Sequence, residues 1–199
     1  MLVYDGTDWR WADYSSDNNK VTTAANTSDT CQYVTTCSGA ATGTLTYHTG
    51  VYVDHSTGVL YGAAWNDYAE FRKQEQELLP GYCVMSTDHG VLNYTAKRLE
   101  PCEGIVSDTF GFAIGETDEC KTPLAVAGRV LAYTEEERES FHFGDAVCAS
   151  ANGKVSKMTR EEIKEYPDRI VGIVSEIPDY DVWGEKNIAV NNRIWIKVR

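Results

Sequence analysis

The change of composition between Asn66 and Asp67 limits what this chain can fold into. Residues 1–66 contain no Glu and are dense in Thr, Ser, Gly and Asn, with few large aliphatic side chains. A segment of that kind buries little core as a monomer, so it calls for partner chains. From Asp67 onward Glu, Lys and Arg become frequent, with apolar runs between them. Two differently built pieces therefore meet here, a β-rich stem over 1–66 and a domain over 67–199. The join carries an Asn-Asp peptide bond with Glu70 three residues beyond Asp67. Carboxyl groups beside a peptide bond can serve as acid, base or nucleophile. Asn66–Asp67 is thus a candidate self-cleavage site, with Asp67 and Glu70 as the candidate catalytic pair.

Composition removes several other classes of function. A net charge of −12 over 199 residues speaks against nucleic-acid binding, which needs clustered Lys and Arg. Runs such as Ile170-Val171-Gly172-Ile173-Val174 are far too short to span a bilayer, and Met1-Leu2-Val3-Tyr4-Asp5 turns polar too early for a secretory signal. The six cysteines form no Cys-x-x-Cys pair and read as small buried hydrophobes, with Cys31 and Cys37 alone left open as a pair. His48, His55, His89 and His142 are scattered, so no metal site is expected. There is neither a nucleophile elbow nor a phosphate loop, and no cofactor is implied. The sequons at Asn26 and Asn93 carry no weight without a secretory signal.

The stem reads as short strands. Leu2-Val3-Tyr4 and Trp9-Arg10-Trp11 flank Asp5-Gly6 as a hairpin, and residues 15–30 read as a loop. Further strands are expected at Cys31–Thr36, Thr44–Tyr47, Gly50–Asp54 and Gly58–Tyr61, with a turn at Asp54-His55-Ser56-Thr57-Gly58. Trp9, Trp11, Tyr33, Tyr47, Tyr52 and Tyr61 supply aromatic area for packing about a shared axis.

The second piece contains a repeat. Gly81-Tyr82-Cys83-Val84, Gly104-Ile105-Val106-Ser107-Asp108 and Val126-Ala127-Gly128-Arg129-Val130 are followed, in the same order, by similar segments. These are Gly144-Asp145-Ala146-Val147, Gly172-Ile173-Val174-Ser175-Glu176 and Val190-Asn191-Asn192-Arg193-Ile194. The reading is of two related β modules, at about 80–133 and 143–199. Thr134-x-x-Glu137 and Thr159-x-x-Glu162 are capping boxes that predict short helices, the second ending before Pro167. The fold class expected is mainly β with minor helix.

Around the junction two local readings compete. In a helix Asn66 caps and Tyr68, Phe71 and Leu78 form a stripe; in a strand Asp67, Ala69 and Phe71 share one face and Tyr68 and Glu70 the other. Spacing alone favours an ordinary structural role for such an acidic pair. Ser107-Asp108 and Ser175-Glu176 read as strand-end turns, and Glu116 and Asp118 as a solvated loop.

Resemblance adds to these residues. Tyr4-Asp5-Gly6-Thr7-Asp8-Trp9 looks like an element of bacteriophage tail-fibre proteins. From Asn66 onward, Asp67-Tyr68-Ala69-Glu70, the Pro80-Gly81 strand start and the two Gly-Ile-Val-Ser segments resemble the C-terminal autoproteolytic domain of phage neck and tail appendages, including the pre-neck appendages of Bacillus phages. The resemblance implies an intramolecular chaperone that drives homotrimer assembly of a β-rich fibre and is then cut off before Asp67, a single-turnover glutamic or aspartic peptidase. Its implied partners are further copies of itself, other tail or appendage proteins and a host surface receptor. Its implied place is the virion, after assembly in the host cytoplasm. Glu70 is then the general base for water or for the Asp67 carboxyl, and afterwards the acid for the leaving amine. Such a base works near neutral pH only if burial raises its pKa. Completion of the site between subunits would delay the cut until three chains have met. Two rivals remain: cyclisation of Asn66 onto its own carbonyl, which needs no Glu70, and a non-enzymatic structural or receptor-binding knob that stays attached to the fibre.

Overall fold

The computed structural model describes residues 66–198 apart from Glu185, together with the backbone of five strands before them. It divides at Ala63 and Ala64 into two compact units. In the first unit β1 (Leu2–Tyr4) and β2 (Trp9–Trp11) form an antiparallel pair, and β3 (Cys31–Cys37), β4 (Leu45–Asp54) and β5 (Leu60–Tyr61) form an antiparallel three-stranded sheet. The expected breaks differ in one place. Leu45–Tyr47 and Gly50–Asp54 join as the single strand β4, because one strand, β3, pairs with both Leu45–Tyr47 and Tyr52–Asp54 and the extra residues between them are taken up in a register shift opposite Tyr33–Thr35. The loop at 15–30, residues 55–58 of the expected turn, and the side chains of Cys31, Cys37, His48 and His55 lie outside what is described.

The second unit is mainly β. It contains β6 (Asp67–Lys73), β7 (Cys83–Ser86), β8 (Leu92–Tyr94), β9 (Gly104–Val106), β10 (Phe110–Ile114), β11 (Cys120–Ala132), β12 (Ala146–Ala149), β13 (Val155–Lys157), β14 (Gly172–Glu176), β15 (Val182–Trp183), β16 (Ile188–Ala189) and β17 (Ile194–Val198). Apart from the β15–β16 ribbon, these form one curled ten-stranded sheet, antiparallel except where β10 lies parallel to β6.

The sheet reads alike from both ends. β8 pairs with β7, β7 with β9 and β9 with β11; β13 pairs with β12, β12 with β14 and β14 with β17; β11 and β17 join the two sets. Gly104 stands opposite Val84 in one set and Gly172 opposite Val147 in the other. At the third strand the ladder sets a different correspondence from the one the sequence suggests. Leu124 and Ala125 face Val106 and Ile105, whereas Ile196 and Lys197 face Val174 and Ile173. Val126–Val130 and Val190–Ile194 are therefore not equivalent by register, since pairing and not local similarity defines register.

The largest apolar cluster takes side chains from both sets, among them Ile105, Val130, Phe141, Val147, Val174 and Ile196. Trp195 is fully buried beside Leu131 and Val190, and its Nε1–H donates to the Tyr180 hydroxyl at 2.7 Å. Such an aromatic removes about 150–250 Å² from water, which makes it a main anchor of β17. Cys83 and Cys148 are buried in this interior as free thiols.

Of the two capping boxes one forms. Thr159 accepts from the Glu162 N–H, Glu162 reaches back to the Thr159 N–H, and helix α1 (Arg160–Glu165) follows, ending before Pro167. Thr134 starts no helix. The Val155 N–H donates to the Tyr133 carbonyl and the Glu135 N–H to the Val155 carbonyl, which hold Thr134 extended in a bridge to Val155. The Thr134 hydroxyl turns instead to the Glu136 carbonyl, and a short 3-10 turn begins only at Arg138. A long-range pairing overrides the local capping signal.

Candidate functional site

The junction is a strand. β6 lies between β10 and β11, with Asp67 opposite Phe110 on one side and Gly128 on the other. Its helical reading fails because both of its edges are taken up by ladders. Asp67 and Ala69 point inward, and Asp67 is only 5% exposed.

The turn between β9 and β10 holds the Asp67 carboxyl. The Thr109 hydroxyl donates to Asp67 Oδ1 at 2.7 Å. Ser107 Oγ accepts the Thr109 N–H at 3.0 Å and lies 3.3 Å from the Thr109 hydroxyl, a side-chain-to-backbone turn that Ser is suited to make. Asp67 Oδ2 is buried with no hydrogen-bond partner among the described residues. Burial pushes the carboxyl pKa above its ordinary value and the nearby Asp108 charge adds to this; the Thr109 and Ser107 hydrogen bonds and Lys186 act in the opposite direction. Asp67 therefore keeps its proton to higher pH than an exposed Asp does, and a protonated carboxyl can donate where a carboxylate cannot.

Asn66 is held from the other side. Its carbonyl accepts the Arg129 N–H at 3.0 Å. Its side-chain Nδ2 donates to the Arg129 carbonyl at 2.7 Å, and the Arg129 guanidinium donates to its Oδ1 at 3.3 Å. Cyclisation would require Nδ2 to leave the Arg129 carbonyl and turn onto its own, so this geometry opposes that rival. Replacing Asn66 with Ala would abolish cyclisation outright, whereas a carboxyl-driven cleavage would persist, and intact mass distinguishes the two.

Gly128 makes this approach possible. Its φ is +100°, and a Cβ there would stand 2.7 Å from Asp67 Cα and closer still to the Asn66 carbonyl oxygen. Gly128→Ala is expected to lower stability by about 1–3 kcal/mol from backbone strain alone, and to displace the Asn66–Asp67 bond from Arg129. Thermal melting of the purified variant checks the first effect; an unchanged melting temperature would show that β6 and β11 are not in this contact.

Glu70 lies elsewhere. On β6 it shares the face of Tyr68, opposite to that of Asp67, and it pairs with Leu124 and Ile114. At a rise of about 3.3 Å per residue it sits about 10 Å along the strand from Asp67. Tyr68 stacks on Phe112 with ring centroids 5.3 Å apart. Phe112 and Ile114, which face the same way as Glu70, are 46% and 47% exposed. The fold thus brings Asp67, Asn66, Ser107, Thr109 and Arg129 together and leaves Glu70 on an outward apolar face.

Sequence reasoning misses Thr109, Gly128 and Arg129 as parts of this site. Ser107-Asp108 is a strand-end turn, as its residues suggest, but that turn carries the hydroxyl that holds Asp67. The signal was the recurrence of a Ser-acid pair after each Gly-Ile-Val. Glu116 and Asp118 are exposed, as are His89 and His142, and no group of ligating side chains among the described residues could hold a metal ion.

No protein-family model and no curated protein sequence matches the chain. Two solved structures are similar to it. One is the C-terminal fragment of gene product 12 of bacteriophage phi29, 17% identical, with a TM-score of 0.44 over 67% of this chain and all of that one. The other is the pre-mature phi29 gene product 12, 14% identical, with a TM-score of 0.45 over 75% of this chain. The chain spans about a quarter of the length of that pre-mature protein, 24% of it being covered.

Proposed function

We propose that this chain is the end of a phage tail-fibre or neck-appendage protein, in which residues 67–199 act as an intramolecular chaperone for a homotrimer and then cut themselves from residues 1–66. The observation that carries the reading is the Asn66–Asp67 peptide bond itself: its carbonyl is hydrogen-bonded to the Arg129 N–H, and a buried carboxyl with one free oxygen lies beside its nitrogen. The Asp67-Tyr68-Ala69-Glu70 motif agrees with it.

The chemistry follows from these positions. Water adds to the Asn66 carbonyl carbon and gives one proton to Glu70. The oxygen that gains negative charge is the one already facing the Arg129 N–H, and a donor fixed in advance stabilises that charge most. Protonated Asp67 passes its proton to its own main-chain nitrogen as the C–N bond breaks, which leaves a carboxyl on Asn66 and a free amine on Asp67. Because Glu70 faces away from Asp67 on the same strand, the Glu70 that acts belongs to a neighbouring copy. The exposed Phe112 and Ile114 beside it suit burial against that copy, which ties cleavage to assembly.

Intact mass of freshly purified protein tests the reading. Two fragments are expected, 1–66 and 67–199, with Asp67 as the new N-terminus and a sedimentation mass of three chains. One full-length chain that stays uncut in a folded trimer would support the attached knob instead, and a stable monomer would sink the chaperone role. Expressed alone, 67–199 is expected to fold, since it contains the whole ten-stranded sheet.

A further inference from the structure

Two arginines pair with carboxylates across the midline of the sheet. Arg129 on β11 reaches Glu176, the last residue of β14, at 3.0 Å, and its guanidinium lies 5.1 Å from the centre of the Trp195 ring on β17. Arg193, just before β17, donates through two nitrogens to Asp108, two residues after β9, at 3.0 and 2.9 Å. Its guanidinium lies 5.7 Å from the Tyr133 ring, just after β11. In each pair the arginine comes from one strand set and the carboxylate from the other.

Both pairs end at the same peptide bond. Arg129 holds Asn66 through its main-chain N–H, its carbonyl and its guanidinium. Asp108 stands between Thr109, whose hydroxyl holds the Asp67 carboxyl, and Ser107, whose hydroxyl accepts the Thr109 N–H and braces that turn. Arg193 itself has little freedom: it is 3% exposed and also donates to the Val190 carbonyl at 3.1 Å and the Ala189 carbonyl at 2.5 Å. A guanidinium keeps its charge throughout the accessible pH range and fixes a carboxylate in one orientation.

We infer that these crossed pairs form a clamp in which Arg129 and Arg193 are positioning residues for cleavage, Arg129 on the carbonyl side of the Asn66–Asp67 bond and Arg193, through Asp108, on the carboxyl side. The inference rests on the self-cleavage reading above. The β6–β11 ladder and the turn after β9 set the register at the bond, and because each arginine pair joins the two strand sets, the Arg129 side chain on Asn66 and the turn that holds Asp67 are braced only when both sets have docked. Cleavage is thereby made conditional on a finished sheet. Displacing reacting groups by about 1 Å costs roughly a hundredfold in rate, so the two side-chain pairs can act on the rate without themselves touching the reacting atoms.

The test uses the full chain, refolded from denaturant to start the reaction, with intact mass giving the cleavage half-time. Arg193→Lys and Arg129→Lys keep the charge but lose the two-pronged grip; each is expected to slow cleavage roughly tenfold to a hundredfold in chains that fold and assemble. A second readout follows the Asp67 carboxyl carbon by NMR titration in a Glu70→Gln background, which keeps the chain whole. The charged groups around Asp67 are Asp108 and Lys186 directly, Arg193 behind Asp108, and Arg129 with Glu176 on the Asn66 side. Arg193→Gln leaves the Asp108 charge less balanced and should move the Asp67 titration up, whereas Asp108→Asn should move it down. A mere loss of packing would move both the same way. If Arg193→Gln does not fold, the pair Asp108→Asn with Arg193→Gln leaves no unpaired charge and gives the comparison, with a downward shift expected. Lysine variants that cleave at the original rate, or a titration unmoved by these changes, would overturn the clamp. An unsubstituted chain that never cleaves, yet shows the opposed shifts, would overturn the cleavage reading and leave the clamp on Asp67 standing.

Discussion

A Glu70→Gln chain folds, assembles and stays whole. Gln keeps the size of Glu and its capacity to hydrogen-bond but cannot take up a proton from water. Loss of a general base typically costs about a hundredfold to ten-thousandfold in rate, which turns a prompt cut into one that fresh preparations do not show. Stability should change little, because Glu70 is only half-buried on an outward face. Its distance from Asp67 makes a sharper result available. Co-refolding Glu70→Gln chains with Asp67→Asn chains should restore cleavage in part, since a mixed trimer places an intact Glu70 beside an intact Asp67 from another copy. Only the chains carrying Asp67 should be cut. No restored cleavage in mixed trimers, or cleavage at the original speed in Glu70→Gln alone, would remove Glu70 from the role proposed for it.

The second large effect is at Asp67, where cleavage and stability should change in opposite senses. Asp67→Asn removes the proton donor proposed for the leaving nitrogen, with an expected loss again of about a hundredfold to ten-thousandfold. The same change should stabilise the folded chain at neutral pH. The folded-state pKa of Asp67 lies above the unfolded one, so the folded protein binds this proton more tightly. Below the unfolded carboxyl pKa both states are protonated and there is no penalty. As pH rises through the unfolded pKa toward the folded one the penalty grows, and above the folded pKa it is complete. Asn carries no such charge, and its amide oxygen still accepts from Thr109 while its nitrogen takes the place of an oxygen that had no partner. Thermal melting of Glu70→Gln with and without Asp67→Asn should therefore diverge as pH is raised from acid to neutral, with the Asn chain the more stable. Parallel curves would mean that Asp67 is not buried as described.

Local chemistry made several elements legible. The Trp9-Arg10-Trp11 hairpin and the Thr159 capping box depend on neighbours within a few residues, whereas Asp67-Tyr68-Ala69-Glu70 admits helix and strand alike until the ladders to β10 and β11 decide for the strand. Thr134 shows where that kind of reading fails, for an equally good box yields to a main-chain pairing with Val155 that no local signal announces.

Residue order alone establishes that this chain is built from strands, that its second piece repeats Gly-Ile-Val-Ser-acid, and that an Asn-Asp bond stands at the change of composition. It also establishes that Asp67 and Glu70 would face apart in a strand, because side chains alternate with a period of two. Which groups meet at that bond depends on how the chain folds back on itself. Thr109 reaches Asp67 across 42 residues, Arg129 reaches Asn66 across 63, and Arg193 reaches Asp108 across 85. Contacts over such separations follow from how strands stack beside one another in the sheet, and no periodicity within a single segment encodes that order. The register between β6 and β11 places an N–H on the Asn66 carbonyl, and the turn after β9 places a hydroxyl on a buried carboxyl.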